Sequence, residues 1–107
     1  MRRPRVEILY FDGCPNYEGT RALVERLAAE LRIEPEVAFV RIADAEAAVQ
    51  HRFLGSPTVR VDGRDVEPGA ERRSDFAFSC RAYRSTRGVS AQPDASWVQE
   101  ALSKAAA

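Results

Sequence analysis

Residues 6–15 have the sequence VEILYFDGCP, and the order of the predicted elements follows from this stretch. Its first six residues are β-branched, aromatic or aliphatic apart from Glu7, which is typical of a strand covered on both faces. Asp12-Gly13 then breaks the strand, and Cys14 and Pro15 follow. Because proline is preferred at the first position of a helix, the sequence predicts a strand, a turn that holds a cysteine, and a helix starting near Pro15.

Beyond residue 15, hydrophobic periodicity and turn residues predict the remaining elements. They are a helix that ends near Arg32, a strand over 37–43, a helix over 45–53 capped by Asp44, a strand after Ser56-Pro57, a hairpin turn at Asp62-Gly63 with a short returning strand, and a last helix from Asp94 or Ser96 to a frayed tail at 105–107. The expected inward positions of the second helix are Ala45, Ala48, Val49 and Phe53.

Two strands joined by a helix favour a parallel crossover, and the hairpin adds an antiparallel edge. The predicted fold is therefore α/β, a four-stranded mixed sheet with helices on both faces, formed as one domain over residues 1–107. Residues 68–93 are expected to be an irregular, lid-like segment that either contains a short strand or helix or serves as a lid. The alternation of Phe76, Phe78, Cys80 and Ala82 weakly favours an extended piece there.

Composition excludes several classes of function. The chain has 107 residues, 45% of hydrophobic type, and 16 acidic against 16 basic residues, so no overall charge draws it to nucleic acid or to a membrane surface. No apolar run approaches the ~20 residues of a membrane span, and no signal-peptide segment follows the first arginines, so we expect a cytoplasmic protein. Two cysteines are too few for a disulfide framework, and a single histidine with no Cys or His cluster argues against a structural zinc site.

Cys14 is the strongest candidate for chemistry. At the start of a helix, unpaired backbone N–H groups and the helix dipole stabilise a thiolate, which makes a cysteine there a better nucleophile. The alternative is that Cys14 is one more small buried apolar residue. Cys80 is the only other thiol, and it is either a redox partner, if its loop folds over the helix start, or simply a cysteine on the lid. The arginines of that loop, at positions 72, 73, 81, 84 and 87, are interpreted as solvated charges rather than as a carboxylate site.

Taken together, these residues resemble the thioredoxin-like superfamily. In that family a strand leads to a reactive cysteine at a helix start, a cis-proline opens the third strand, and a glycine hairpin follows; residues 10–15, Ser56-Pro57 and Asp62-Gly63 match these features. The likeness spans residues 6–67 and, loosely, the last helix. Within the superfamily the chain is similar to a small bacterial group with an Asp-Gly-Cys-Pro signature, some members of which carry selenocysteine at the cysteine position.

The resemblance implies that Pro57 is cis and faces Cys14, and that the backbone before Pro57 pairs with an extended thiol substrate. It assigns substrate contact to Pro15, Asn16, Tyr17, Ser56 and Pro57. One departure is that the superfamily's Cys-x-x-Cys motif is here Cys14-Pro15-Asn16-Tyr17. Tyr17 therefore stands at the second cysteine's position, where it either shields the thiolate or only packs, and no neighbouring thiol resolves a mixed disulfide.

The function expected from these observations is thiol–disulfide oxidoreductase. Cys14 attacks a disulfide, a sulfenic acid or a peroxide, and Cys80 or glutathione as co-substrate displaces the product, with no bound cofactor. The partners are then protein or small-molecule disulfides and thiols. Two alternatives stay open: binding or transfer of a soft metal (Hg, Cu or Zn) by the two thiols, and a non-catalytic thioredoxin-like module that binds a partner.

Overall fold

The computed structural model describes residues 3–107, and its element order follows the predicted alternation of strands and helices. Six strands, three α-helices and one 3-10 helix are found in those residues. In chain order they are β1 Arg5–Tyr10, α1 Tyr17–Glu30, β2 Glu36–Arg41, α2 Ala45–Gln50, β3 Thr58–Val61, β4 Arg64–Asp65, the 3-10 helix Ala70–Arg72, β5 Tyr83–Ser85, β6 Gly88–Ser90 and α3 Ala95–Ala106.

Four of the strands form one mixed sheet in the order β2-β1-β3-β4. β1 runs parallel to β2, with Val6 opposite Val37, and antiparallel to β3, with Val6 opposite Val61. β3 and β4 are the antiparallel hairpin that Asp62-Gly63 predicts. Both turn residues have positive φ, 50° and 85°, as a two-residue hairpin turn of this hand requires. The predicted α/β class and four-stranded mixed sheet are confirmed.

Side chains alternate across the sheet and build a core on each face. On one face, Val6 and Ile8 of β1 pack with Val24 of α1 and Leu102 of α3. On the other face, Leu9 packs with a smaller cluster that includes Ala48 of α2 and Phe53. Helices therefore cover both faces, as predicted, and β1 lies between two cores. Within the described residues, no helix is long and apolar enough to cross a membrane.

The predicted helix starts at Asp44 and Asp94 are confirmed, whereas the predicted end of α2 is wrong. Asp44 and Asp94 cap α2 and α3 as predicted, accepting hydrogen bonds from the backbone N–H groups of Ala47 and Ser96. The prediction that α2 extends to Phe53 is wrong because Arg52 takes a left-handed φ of 53° and the chain turns away. The N–H of Phe53 then donates to Ala48 O, the closing bond of a Schellman motif.

The shortened α2 changes which of its residues are inward. Ala48 and the following Phe53 are buried as predicted, but Val49 is 59% exposed and Ala45 is also exposed. Both expectations fail because a helix of under two turns presents too little of its circumference to the sheet. At the other end of the chain, the prediction of a frayed tail fails too, since α3 continues to Ala106, which is buried against the core.

Residues 68–93 contain regular pieces within an otherwise irregular path. The 3-10 helix Ala70–Arg72 and the β5–β6 hairpin both lie in this segment. The extended piece suggested by the alternation from Phe76 to Ala82 is mostly irregular, and Cys80 alone forms a bridge, which pairs it with Ser56. This bridge, together with the hydrogen bond from the N–H of Ala77 to Phe53 O, attaches the middle of the segment to the chain just before β3.

Candidate functional site

The turn after β1 places Cys14 in the interior. The N–H of Cys14 donates to Phe11 O at 3.0 Å, and the residue is 1% exposed. α1 begins at Tyr17 with Asn16 as its N-cap, so the prediction that Pro15 opens the helix is wrong. Cys14 precedes the N-cap by two residues rather than lying on it.

The residues flanking Cys14 in sequence have different environments. Pro15 is exposed, and the Asn16 side chain makes no capping hydrogen bond. The Tyr17 ring stacks on Tyr10 with centroids 4.1 Å apart and meets Phe39 edge-on at 5.5 Å. The Tyr17 phenol is also near enough to the Cys14 thiol to interact with it, so its surroundings fit both of the roles left open for Tyr17.

Residues 79–81, called here the Cys80 segment, lie along the chain that leads into β3. The N–H of Ser56 donates to Ser79 O at 2.8 Å, and the N–H of Arg81 donates to Ser56 O at 2.9 Å. These two bonds form a parallel bridge between Ser56 and Cys80. The Ser56–Pro57 peptide bond is cis, in agreement with the expectation from the resemblance.

The Cys80 segment brings the two thiols together. Cys14 and Cys80 are both free, and their side chains are near enough to interact. Although the residue Cys80 is exposed, partial desolvation raises the pKa of its thiol, and the neighbouring Cys14 raises that pKa further. Two cysteines far apart in sequence thus form one pair, with Cys14 inside and Cys80 at the surface.

Arg81 fastens the Cys80 segment to the sheet. Its side chain is 1% exposed, and Nη1 donates to Asp65 Oδ2 at 2.8 Å and to Thr58 Oγ1 at 3.0 Å. Nη2 lies 3.2 Å from Asp65 Oδ1 and 3.3 Å from Glu67 Oε1. A guanidinium held by two carboxylates and a hydroxyl has a fixed orientation, which also fixes the backbone of the adjoining Cys80.

The interpretation of Arg81 as a solvated loop charge is wrong. In an extended segment neighbouring side chains point to opposite sides, so Arg81 enters the interior where Cys80 does not. The signal in the sequence was weak: the alternation around Cys80, together with Asp65 and Glu67 beside the hairpin. The sequence does not show which arginine of the loop pairs with those carboxylates, because that pairing depends on the tertiary structure. Arg84 and Arg87, in the same loop, are exposed.

Tyr83 and two phenylalanines add apolar support around the pair. The Tyr83 hydroxyl donates to Pro57 O at 2.5 Å, and its ring lies 4.2 Å from the Arg81 guanidinium carbon. Burial raises the pKa of Tyr83 far above its ordinary value, so the phenol stays a hydrogen-bond donor at physiological pH. The Phe11 and Phe78 rings pack with centroids 4.9 Å apart and connect the Cys14 turn to the loop before Cys80.

Gly55 provides the space that the Cys80 segment needs. Its φ is +122°, and a Cβ at this position would lie 2.8 Å from Arg81 Cβ and 3.0 Å from Arg81 Cα. We expect Gly55→Ala to lower the free energy of unfolding by about 2 to 3 kcal/mol, because left-handed strain is added to a collision with the segment. Urea denaturation of the reduced protein measures this difference.

Gly88→Ala is the matched control. Gly88 also has a positive φ, +106°, but a Cβ there meets nothing within 4 Å. The expected loss is about 1 kcal/mol, from backbone strain alone. Equal losses in the two variants would show that Gly55 is not needed to admit the Cys80 segment.

The structure thus brings Cys80 together with Cys14 and with Ser56, which precedes the cis Pro57. It leaves Pro15 and Asn16 as the link from Cys14 to α1, and Tyr17 is the first residue of that helix. The described residues contain no group of three or more His, Cys, Asp or Glu side chains arranged to hold a metal ion. Comparison with protein-family models and with curated proteins finds no match for this chain.

Proposed function

We propose that this chain is a small thiol–disulfide oxidoreductase with a thioredoxin-like fold, in which Cys14 and Cys80 are the redox pair. The observation that supports this most is that two free thiols far apart in the sequence are near enough to interact, with Cys80 held in place by its bridge to Ser56. Disulfide exchange needs a second thiol close enough to attack a mixed disulfide, and no such thiol lies near Cys14 in the sequence.

The proposed reaction transfers two electrons from the protein to a disulfide. A thiolate of the pair attacks one sulfur of the substrate RSSR′, a mixed protein–SR disulfide forms, and R′S⁻ leaves and takes up a proton. The second thiol, as thiolate, then attacks the protein sulfur of the mixed disulfide and expels RS⁻. The products are an internal Cys14–Cys80 disulfide and two free thiols. Glutathione, as the external thiol, reverses these steps: two molecules reduce the pair and become glutathione disulfide.

Mass spectrometry of the reduced protein after reaction with glutathione disulfide tests this proposal. We expect the wild type to lose two hydrogen atoms, to form a Cys14–Cys80 linkage visible in peptide mapping, and to release reduced glutathione. Neither Cys14→Ser nor Cys80→Ser has a resolving thiol, so neither variant forms the internal bond. Wild-type protein that ends with glutathione on both cysteines and no internal bond would refute the proposal.

Soft-metal binding is a second candidate, because two facing thiols without a third ligand group also suit a linear ion such as Hg(II) or Cu(I). Metal analysis of the purified protein and of Cys80→Ser separates the two functions. A redox pair is expected to retain no tightly bound metal in either protein. One equivalent of metal in the wild type that is lost in the variant would favour metal binding. The third alternative is a non-catalytic module that binds a partner. It predicts that the Cys14→Ser variant has the same activity in cells as the wild type.

A further inference from the structure

We propose that Cys80, and not Cys14, is the thiol that attacks the external disulfide, that Cys14 resolves the mixed disulfide, and that the substrates are low-molecular-weight disulfides. This inference rests on the redox function proposed above. It reverses the order of attack expected from the sequence, in which Cys14 was the first nucleophile.

Access to the two sulfur atoms supports this order. Attack on a disulfide requires the nucleophile to approach along the S–S axis, with the leaving sulfur on the far side. Cys14 is 1% exposed and belongs to the tight turn that its own N–H closes with Phe11, so an external S–S bond cannot approach it in this conformation. Cys80 is exposed, and a sulfur bonded to it remains within reach of Cys14. The attacking thiol is therefore the one that an external disulfide can reach, rather than the one that lies nearer to the start of α1.

Backbone pairing at Ser56 supports the substrate class. An extended peptide is held by main-chain hydrogen bonds to a free edge, as in β-strand addition. Both backbone groups of Ser56 are already used, the N–H by Ser79 O and the carbonyl by the N–H of Arg81. The chain's own Cys80 segment thus fills the edge to which the resemblance assigned an extended substrate.

The outer side of the Cys80 segment has too few free backbone groups to bind an extended peptide in place of the Ser56 edge. In a parallel bridge the N–H and C=O of Cys80 point away from Ser56, and the Ser79 hydroxyl already donates to Cys80 O at 3.3 Å. One residue is too short to align a peptide strand. Release of the segment to free Ser56 would require the buried Arg81 to leave Asp65 and Glu67. A disulfide that needs no strand pairing fits this surface best.

In the proposed sequence of bonds, the Cys80 thiolate attacks glutathione disulfide, forms a Cys80–glutathione disulfide and releases one glutathione. The Cys14 thiolate then attacks the Cys80 sulfur, forms the internal disulfide and releases the second glutathione. Each step forms one S–S bond and breaks one, and the released thiolates take up the protons that the protein thiols lost.

The rate of adduct formation in the single-cysteine variants tests the order of attack. With glutathione disulfide as the probe, we expect Cys14→Ser to accumulate an adduct on Cys80, and Cys80→Ser to react at least roughly tenfold more slowly. As a check that does not depend on the folding of either variant, rapid alkylation of partly reacted wild type is expected to trap glutathione on Cys80. An adduct on Cys14 in the wild type, or equal rates in the two variants, would overturn the order.

Competition between two disulfides tests the substrate class. We expect wild type to reduce glutathione disulfide faster than a peptide disulfide of extended sequence at the same concentration. Faster reduction of the peptide would overturn the small-substrate assignment. Both of these results differ from the result expected if the proposed redox function is wrong. In that case, wild type forms no internal disulfide with either compound.

Discussion

Replacing Arg81 with alanine is expected to lower the free energy of unfolding by about 3 to 5 kcal/mol, the usual cost of removing one member of a buried ion pair. The Asp65 and Glu67 side chains are only 12% and 14% exposed, so both lose a cation in a place that water reaches poorly. Thr58 Oγ1 and the Tyr83 ring lose their contacts as well. Chemical denaturation of the reduced variant, followed by circular dichroism, measures the loss.

Arg84→Ala is the control for this variant. Arg84 lies three positions further along the same loop, in β5, and is exposed. Its replacement is expected to change stability by less than about 0.5 kcal/mol. If both variants unfolded at the same denaturant concentration, Arg81 would not anchor the Cys80 segment.

Oxidation of the thiol pair is expected to raise the free energy of unfolding by about 4 kcal/mol. In the chain-entropy account, a crosslink that closes a loop of roughly 65 residues removes that much conformational freedom from the unfolded state. The thiols are already near enough to interact in the reduced protein, so we expect the native fold to accommodate the bond. Guanidinium denaturation with and without a reductant compares the two forms.

Cys80→Ser treated with the same oxidant supplies the reference, and its stability is expected to be unaffected by the reductant. Oxidised wild type that is no more stable than reduced wild type would mean that the bond forms only by distortion of the native backbone. That result would argue against the pair as a working redox centre.

The parts of the fold that the sequence predicted well depend on local patterns. The strand over 6–11, the Asp62-Gly63 hairpin and the caps at Asp44 and Asp94 each follow from residues within a few positions of one another. The end of α2 could not be predicted in this way. A left-handed arginine at position 52 is stabilised by the Schellman bonds and by the burial of Phe53, which the local pattern does not contain.

The sequence named the main residues of the candidate site, but it did not predict how they are arranged in space. Cys14, Cys80, Ser56 and Pro57 were all identified from the sequence, and the expected cis bond is present. Three features are seen only in the folded structure. They are the burial of Cys14, the use of both Ser56 backbone groups by the Cys80 segment, and the insertion of Arg81 among Asp65, Thr58 and Glu67. Each of these is a contact between residues distant in sequence, so no periodicity or motif reports it.

The wide separation of the two thiols along the chain has a consequence for biosynthesis. In a Cys-x-x-Cys protein both sulfurs leave the ribosome almost together, and each has a partner at once. Here Cys14 emerges long before Cys80, and the two thiols cannot approach each other until the chain has been made through residue 80. Under the proposed function, a nascent chain that has not reached residue 80 therefore carries a single thiol that has no partner.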